Sequence, residues 1–163
     1  YVSFFPQLVA GPIERSYRLL PQFKIKQKFV LNNVITGVKW IIIGFFMKLV
    51  VADRLSIYVD SIYNNVYEHS GASLMIATFF FSFQIYCDFA GYSSIAIGSA
   101  KIMGYDLMIN FNRPYFSISF SDFWSRWHIS LSTWFRDYFY IPIGGNRVTV
   151  LRNFINIYQQ RRY

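Results

Sequence analysis

The chain has 163 residues, of which 54% are hydrophobic, 21% aromatic and only 15% charged. Soluble domains carry roughly 25% charged residues, and a soluble chain of this size has too little interior to hide so much aromatic surface. The formal net charge of +8 suits nucleic acid, an anionic bilayer surface or anionic substrates. Because no soluble nucleic-acid-binding module is recognisable, we exclude nucleic acid as a partner and interpret the solvent as partly lipid.

A single cysteine, Cys87, excludes an internal disulfide and a cysteine-rich metal site. The two histidines are distant in sequence and lie outside any carboxylate cluster, so we predict no metal site. No basic region leads into a cleavable apolar segment, so we predict no signal peptide. The chain begins with Tyr1 rather than Met, and we expect it to be a fragment of a longer protein.

Residues 1–28 are predicted to form a re-entrant or interfacial segment. Four residues oppose a long regular helix there: Pro6, Gly11, Pro12 and Pro21. Non-helical backbone at membrane depth is tolerated only when it is buried in protein or lines a wet cavity. The basic residues of the chain stand at the ends of apolar stretches, where contact with lipid headgroups is expected: Lys24, Lys26, Lys28, Lys101, Arg161 and Arg162.

Residues 29–60 and 71–103 are predicted to form transmembrane helices, since about 20 apolar residues cross a hydrocarbon core of roughly 30 Å. The first helix carries Lys48, whose side chain can reach towards the interface, and Lys39, which we expect to face protein. Polar residues from Asp53 onward predict that this helix leaves the membrane before a loop.

Asp88 interrupts the second stretch after 19 positions, His69 to Cys87, without a formally charged acidic or basic side chain. A carboxylate inside an apolar span is costly in lipid and indicates a functional or structural polar site. It can also pair with a lysine or cap an unwound turn. Glycine and other small residues follow Asp88 and allow close helix contact: Gly91, Ser93, Ser94, Ala96, Gly98 and Ser99.

A further helix is predicted over residues 119–140, after a loop that contains Asn110, Asn112 and Pro114. Ser119 followed by Asp122 is a helix-capping pattern, and a proline and two glycines end the helix. Three of the four tryptophans and one of the two histidines fall in this segment.

His128 is the candidate catalytic residue of the 119–140 segment. On one continuous helix it shares a face with neighbours three and four positions away: Trp124, Ser125, Leu131, Ser132 and Phe135. An imidazole in an apolar helix suits a general base, because its pKa lies near operating pH. The same spacing also suits a hydrogen-bonded packing residue or an interfacial anchor. Arg126, paired with Asp122, and Arg136, one turn beyond Ser132, are substrate-binding or structural candidates.

Four segments resemble, in order, those of the membrane-bound O-acyltransferases, in particular the bacterial alginate-acetylating branch. They are FFPQLVAGPIER within residues 1–15, QIYCDFAGY at 84–92, NFNRPY at 110–115 and RWHISLSTWFRDYFYIPIGGNR at 126–147. Together they reach across nearly the whole chain. The resemblance implies that residues 1–163 are a partial acyltransferase core, an all-α polytopic membrane fragment with two or three transmembrane helices and re-entrant segments.

The activity implied by this resemblance is transfer of an acyl group, usually acetyl, to hydroxyls of an exported polysaccharide such as an alginate-like glycan. The implied location is the bacterial inner membrane, in a multi-pass protein. His128 matches the first of two family histidines. The second follows in a Trp-His-Gly motif that the chain does not contain, and the polar tail at residues 158–162 replaces an expected apolar helix. We therefore expect truncation or a disrupted reading frame, and incomplete activity from this fragment alone.

The resemblance further implies no bound cofactor, with acetyl-CoA or an acyl-carrier thioester as co-substrate. The implied partners are the polysaccharide acceptor, the lipid bilayer and a periplasmic transferase or carrier protein. Ser132 or Arg136 would stabilise the developing oxyanion or bind anionic groups, and Asp88 and Arg136 would be structural or substrate-positioning residues.

Two alternatives remain at this stage. One is a membrane transporter or channel-like protein in which Asp88, Lys39 and Lys48 form an intramembrane relay. The other is an inactive truncated remnant.

Overall fold

A computed structural model of the protein describes residues 3–8 and 10–145. The described residues contain helices, turns and loops but no strand, which confirms the all-α prediction. The chain divides into two compact units, residues 1–108 and 109–163. The end of the fourth resembling segment, at residues 146–147, and the polar tail with Arg161 and Arg162 lie outside the described residues.

The N-terminal segment of the first unit is short-helical and irregular. A 3₁₀ turn, Phe5–Gln7, precedes the α-helix Ser16–Lys24 (α1), which contains Pro21. Leu19 of α1 is fully buried in a cluster with Ile97, Ala100 and Leu107. Aromatic rings surround this cluster, and three of them make mutual edge-on contacts at 5.0–5.3 Å between centroids: Phe4, Phe23 and Tyr105.

Two long apolar helices dominate the first unit. The first consists of α2 (Leu31–Phe45), a π-helical stretch (Phe46–Ala52) and α3 (Asp53–Tyr63). After a 3₁₀ turn at Val66–Glu68, α4 runs over Gly71–Ile102. By length and composition, Leu31–Tyr63 and Gly71–Ile102 are both able to cross a membrane, because 32 residues of helix extend about 48 Å.

Glycines let α2 and α4 pack backbone against backbone in antiparallel fashion. A Cβ atom on Gly37 would lie 2.6 Å from the carbonyl oxygen of Gly98, and one on Gly44 would lie 2.6 Å from the carbonyl oxygen of Gly91. The partners are seven positions apart on each helix and run in opposite directions. Small residues permit such close approach between membrane helices, where burial of apolar surface gives no driving force. These four residues form the glycine seam of the first unit.

The second unit corrects the prediction of one helix over 119–140. The structure has α5 (Phe120–Arg126), α6 (Ile129–Phe135) and a π-helical stretch (Arg136–Tyr140). The predicted cap is present, with the Ser119 hydroxyl accepting the Asp122 N–H at 3.1 Å. The prediction of continuity is wrong, because the chain leaves the helical conformation at Trp127 and His128.

Candidate functional site

His128 occupies the break between α5 and α6. Its backbone has φ 45° and ψ 53°, in the left-handed region. That conformation costs a residue other than glycine roughly 1–2 kcal/mol. The Trp127 N–H still bonds to the Phe123 carbonyl at 3.0 Å and ends α5, while the His128 carbonyl accepts the Ser132 N–H at 3.0 Å and begins α6. Strain of this kind persists only where the surroundings enforce it.

The preceding loop supplies that enforcement through three hydrogen bonds. On the α5 side, the Asn112 N–H donates to the Arg126 carbonyl at 2.9 Å. On the α6 side, the Ile129 N–H donates to the Asn110 carbonyl at 2.9 Å. The Ser130 hydroxyl donates to the Asn110 side-chain oxygen, and both of these side chains are buried. The loop therefore takes the place of the helical hydrogen bonds that the break removes, and we call this set of bonds the asparagine brace.

Aromatic rings pack against the α5 side of the break. The Trp127 indole stacks on Phe123 at 5.5 Å and 19°, and meets Phe111 edge-on at 5.1 Å. Tyr115 lies 6.3 Å from both the Phe123 and the Trp127 ring. The two residues of the break thus have different surroundings, with Trp127 in a ring cluster and His128 leading into α6.

The break corrects the predicted face of His128. Trp124 and Ser125 belong to α5 and do not share a helical face with His128, whereas Ser132 lies one turn into α6. Ser132 and Arg136 together line a groove of about 280 Å³. The other lining residues are Trp124, Ser125, Ile129 and Thr133.

The groove combines hydroxyl donors, a guanidinium group and two large apolar side chains. Arg136 Nε lies 2.8 Å from a carboxylate oxygen of Asp137, and 60% of the Arg136 side chain is exposed. The Ser132 hydroxyl is 3.5 Å from the Trp127 carbonyl, which is a long contact. The Ser132 hydroxyl, held this loosely, can turn towards an anionic or carbonyl oxygen, whereas Arg136 Nε already bonds to Asp137.

Burial lowers the pKa of His128 below its usual value, because the charged imidazolium loses hydration. The imidazole is therefore neutral at neutral pH and able to accept a proton. In α5, the hydrogen bond from Arg126 lowers the pKa of Asp122; Arg126 Nε and the carboxylate oxygen are 2.7 Å apart. This is the ion pair expected from the spacing, and it places Arg126 in a structural contact.

Asp88 belongs to the first unit, where it has the lysine partner that its position allowed. Lys48 Nζ lies 2.7 Å from Asp88 and 2.8 Å from Asp53, so one ammonium group bonds two carboxylates. Lys48 is in the π-helical stretch between α2 and α3. Lys39 stands nine residues earlier, about 13 Å along the helix, and its side chain is exposed. In the described part of the chain, the cation bonded to Asp88 is Lys48 and not Lys39.

Sequence reasoning did not single out Asn110 and Ser130 as site residues. Both are polar and buried, at 1% and 0% exposure, and Asn110 stands between Ile109 and Phe111. A polar side chain between apolar neighbours in so apolar a chain was the available signal, because buried polar groups need partners. The partner, 20 positions away, could not be read from that signal.

These features define a membrane-helix protein with a histidine at an enforced helix break. The sequence model of the membrane-bound O-acyltransferase (MBOAT) family matches residues 1–156. The chain belongs to the membrane-bound O-acyltransferase family.

Relatives include the peptidoglycan O-acetyltransferase of Helicobacter pylori, which is 42% identical over an alignment that covers 97% of this chain and 31% of that protein. The probable alginate O-acetylase of Azotobacter vinelandii is 39% identical over 96% of this chain and 31% of its own length. The teichoic acid D-alanyltransferase of Bacillus subtilis is 33% identical over 86% of this chain and 36% of its own. The chain thus spans about a third of the length of these curated relatives.

Proposed function

We propose that the full-length protein is an O-acyltransferase that moves an acyl group, acetyl in the first instance, to hydroxyls of an exported polysaccharide. Family membership and the names of the relatives, which specify glycan and cell-wall acylation, support the reaction class. The single observation that carries the site is the partly buried His128, held in a left-handed conformation at the enforced break before α6. The protein is proposed to be a multi-pass protein of the bacterial inner membrane.

His128 acts as the general base in this proposal. The sugar hydroxyl oxygen attacks the acyl carbonyl carbon while the imidazole takes the hydroxyl proton. An ester bond forms, the carbon–sulfur bond of the thioester breaks, and the proton passes on to the leaving thiolate. A lowered pKa keeps the imidazole in the proton-accepting form at neutral pH.

Ser132 and Arg136 are proposed to stabilise the oxyanion that develops on the acyl carbonyl. Both line the same groove, and hydrogen-bond donors placed where negative charge develops stabilise it. Arg126 and Asp88 are proposed to act structurally, since each has a carboxylate or ammonium partner in its own unit.

The acyl donor is proposed to be acetyl-CoA or an acyl-carrier thioester, used as a co-substrate. The acceptor is the polysaccharide, and a periplasmic transferase or carrier protein is the proposed partner.

The test is the amount of ester-linked acetyl on exported polysaccharide in cells that express the full-length parent. We expect His128→Ala to abolish acetylation at an unchanged level of protein in the membrane. The matched control is His69→Ala, since His69 is the other histidine of the chain and lies in the turn before α4; it should retain acetylation. Normal acetylation by the His128 variant would return this residue to a packing role.

The acid limb of the pH–rate profile offers a second measurement on the same residue. Protonation removes the base, so the rate should rise with pH through the pKa of His128. Since burial lowers that pKa, the midpoint should fall below about 6.5, the value of an unperturbed imidazole. A midpoint above that value would contradict a base in this buried setting.

A further inference from the structure

Three lysines form an exposed strip at one end of the paired membrane helices. Lys24 ends α1, and Lys26 and Lys28 follow in the non-helical segment that leads to Leu31, the first residue of α2. All three side chains are exposed. Between Lys26 and Lys28, Gln27 is partly buried; its side chain lies against Gly104 and bonds to the Gln22 carbonyl. We call Lys24, Lys26 and Lys28 the lysine strip.

The strip is attached to the end of α4 as well as to the start of α2. Gln22 of α1 makes a reciprocal pair of hydrogen bonds with the backbone of Asp106, at 2.8 and 3.1 Å. The antiparallel glycine seam places the start of α2 and the end of α4 at the same end of the helix pair. The strip therefore lies at the end of the helix pair where α2 begins and α4 ends.

The charge of the strip is not balanced by carboxylates within the described residues of the first unit. Nearby Glu14 is buried and lies 3.9 Å from Arg18, and Asp106 lies 2.6 Å from Lys101. No ion pair involves a lysine of the strip among residues 3–8 and 10–108. Three positive charges thus remain without a carboxylate partner there.

Exposed apolar side chains alternate with or flank these lysines. Tyr17 is 69% exposed, Ile25 64% and Phe29 82%. A basic segment interleaved with large apolar residues fits the boundary between headgroups and acyl chains. A soluble polyanion would leave those apolar side chains in water.

The opposite end of the helix pair has the reverse charge. Between Arg54 and Lys101 the sequence contains no lysine or arginine, while Asp60 and Glu68 lie near the connection between the long helices. Short loops rich in lysine and arginine remain on the cytoplasmic side of a membrane. The two ends of the helix pair therefore differ in their content of lysine and arginine, which sets the orientation of helices in a membrane.

We propose that the lysine strip binds anionic phospholipid headgroups of the cytoplasmic leaflet and so places the connection at residues 64–70 on the outer side. Membrane contact by the strip does not depend on the acyl-transfer reaction. Juxtamembrane basic residues gain attraction from anionic lipid, and this attraction weakens with salt.

The lipid test uses the full-length protein in nanodiscs of phosphatidylcholine with or without phosphatidylglycerol. Native mass spectrometry would count the phosphatidylglycerol molecules retained by the wild type and by K24Q/K26Q/K28Q. We expect the glutamine variant to lose more than half of the retained anionic lipid and K24R/K26R/K28R to keep it. Arg54→Gln is the control for loss of an exposed cation elsewhere, and it should retain the lipid. Equal retention by the glutamine variant and the wild type would overturn the proposal.

An acyl donor with phosphate groups is the competing ligand for the lysine strip. If K24Q/K26Q/K28Q kept its anionic lipid but raised the KM for the acyl donor, the strip would be a donor site and the lipid proposal would be wrong. Unchanged donor KM with loss of retained lipid is the expected pattern.

Orientation is tested separately with membrane-impermeant maleimide on cells with a permeabilised outer membrane. We expect Asn65→Cys to be labelled while the inner membrane is intact, and Lys26→Cys to be labelled only after it is opened. The unsubstituted parent controls for Cys87, which is buried. The reverse pattern would contradict the assignment of the strip to the cytoplasmic side.

Discussion

The two units hold their chains in unusual arrangements by different means. In the first unit, the glycine seam brings two helix backbones together because no side chain intervenes. In the second, the asparagine brace holds a left-handed histidine by hydrogen bonds from a loop. The glycine seam requires that no side chain lie between the two helix backbones, so an added Cβ atom would disrupt the contact. The asparagine brace requires particular hydrogen-bond donors and acceptors. We expect their loss to change the orientation of His128 more than it changes the fold.

The largest effect should follow from adding atoms to the seam. Gly44→Ala places a Cβ 2.6 Å from the Gly91 carbonyl oxygen, and overpacking of a tight contact costs typically 1–3 kcal/mol. We expect a marked fall in the level of folded protein in the membrane and in its melting temperature in detergent. Gly71→Ala is the matched control, because nothing lies within 4 Å of its added Cβ. Equal behaviour of the two variants would show that the seam is not tight.

Removal of Lys48 should have the next largest effect in the first unit. Lys48→Met leaves Asp53 and Asp88 facing each other without their common cation, whereas Asp88→Asn leaves the Lys48–Asp53 pair. The side chains are 38–54% exposed, so each of the two ion pairs should contribute at most about 1 kcal/mol. Thermal unfolding in detergent should rank Lys48→Met as the less stable variant. The opposite ranking would mean that Lys48 is not the centre of this cluster.

Loss of one brace hydroxyl should reduce activity more than protein level. Ser130→Ala leaves the buried Asn110 side-chain oxygen without its donor, at a cost of about 1–3 kcal/mol. We expect kcat to fall with little change in the KM for the acyl donor. Ser61→Ala removes a hydroxyl that bonds within α3, to the Tyr58 carbonyl at 2.8 Å, and it serves as the control. A Ser130 variant with wild-type kcat would show that the brace does not position His128.

A glycine at the break should separate stability from activity. His128→Gly removes the side chain but favours positive φ, so it should be about 1 kcal/mol more stable than His128→Ala. Both should lack acetyl transfer. Thermal unfolding measures the stability of the two variants, and acetyl analysis measures their activity. Equal stability would indicate that the backbone at position 128 leaves the left-handed conformation when the histidine is replaced.

The smallest effect should come from the Asp122–Arg126 pair at α5. Because the pKa of Asp122 is lowered in the folded protein, the unfolded chain binds more protons at acid pH. The contribution of the pair is therefore present at neutral pH and is lost as pH falls through the folded pKa. Asp122→Asn should narrow the difference in stability between neutral and acid pH without changing acetylation at neutral pH. An unchanged pH dependence would contradict the role of this pair.

Local patterns predicted those parts of the fold that local physics controls. Three such features depend only on residues that are close in sequence. They are the uncharged run in α4, the Ser119 cap and the Asp122–Arg126 ion pair. The lysine partner of Asp88 was among the alternatives because a carboxylate in an apolar span needs compensation.

The break at His128 could not be predicted in the same way. Residues 119–140 have ordinary helical periodicity, and the hydrogen bonds that stabilise the break come from Asn110 and Asn112, more than a dozen positions upstream. The π-helical stretch that contains Lys48 was likewise not predicted from the sequence. The sequence identified His128 as the candidate site residue. It did not predict the left-handed backbone conformation of that residue.

The most direct test of this account is acetyl ester per unit of membrane protein for Ser130→Ala and Gly44→Ala in the full-length parent. Ser130→Ala should keep most of its protein and lose acetyl per protein. Gly44→Ala should lose protein while the remaining molecules keep near-normal acetyl per protein. If both variants lost acetyl only in proportion to their protein, the brace would be ordinary structural support and His128 would have no specially held orientation.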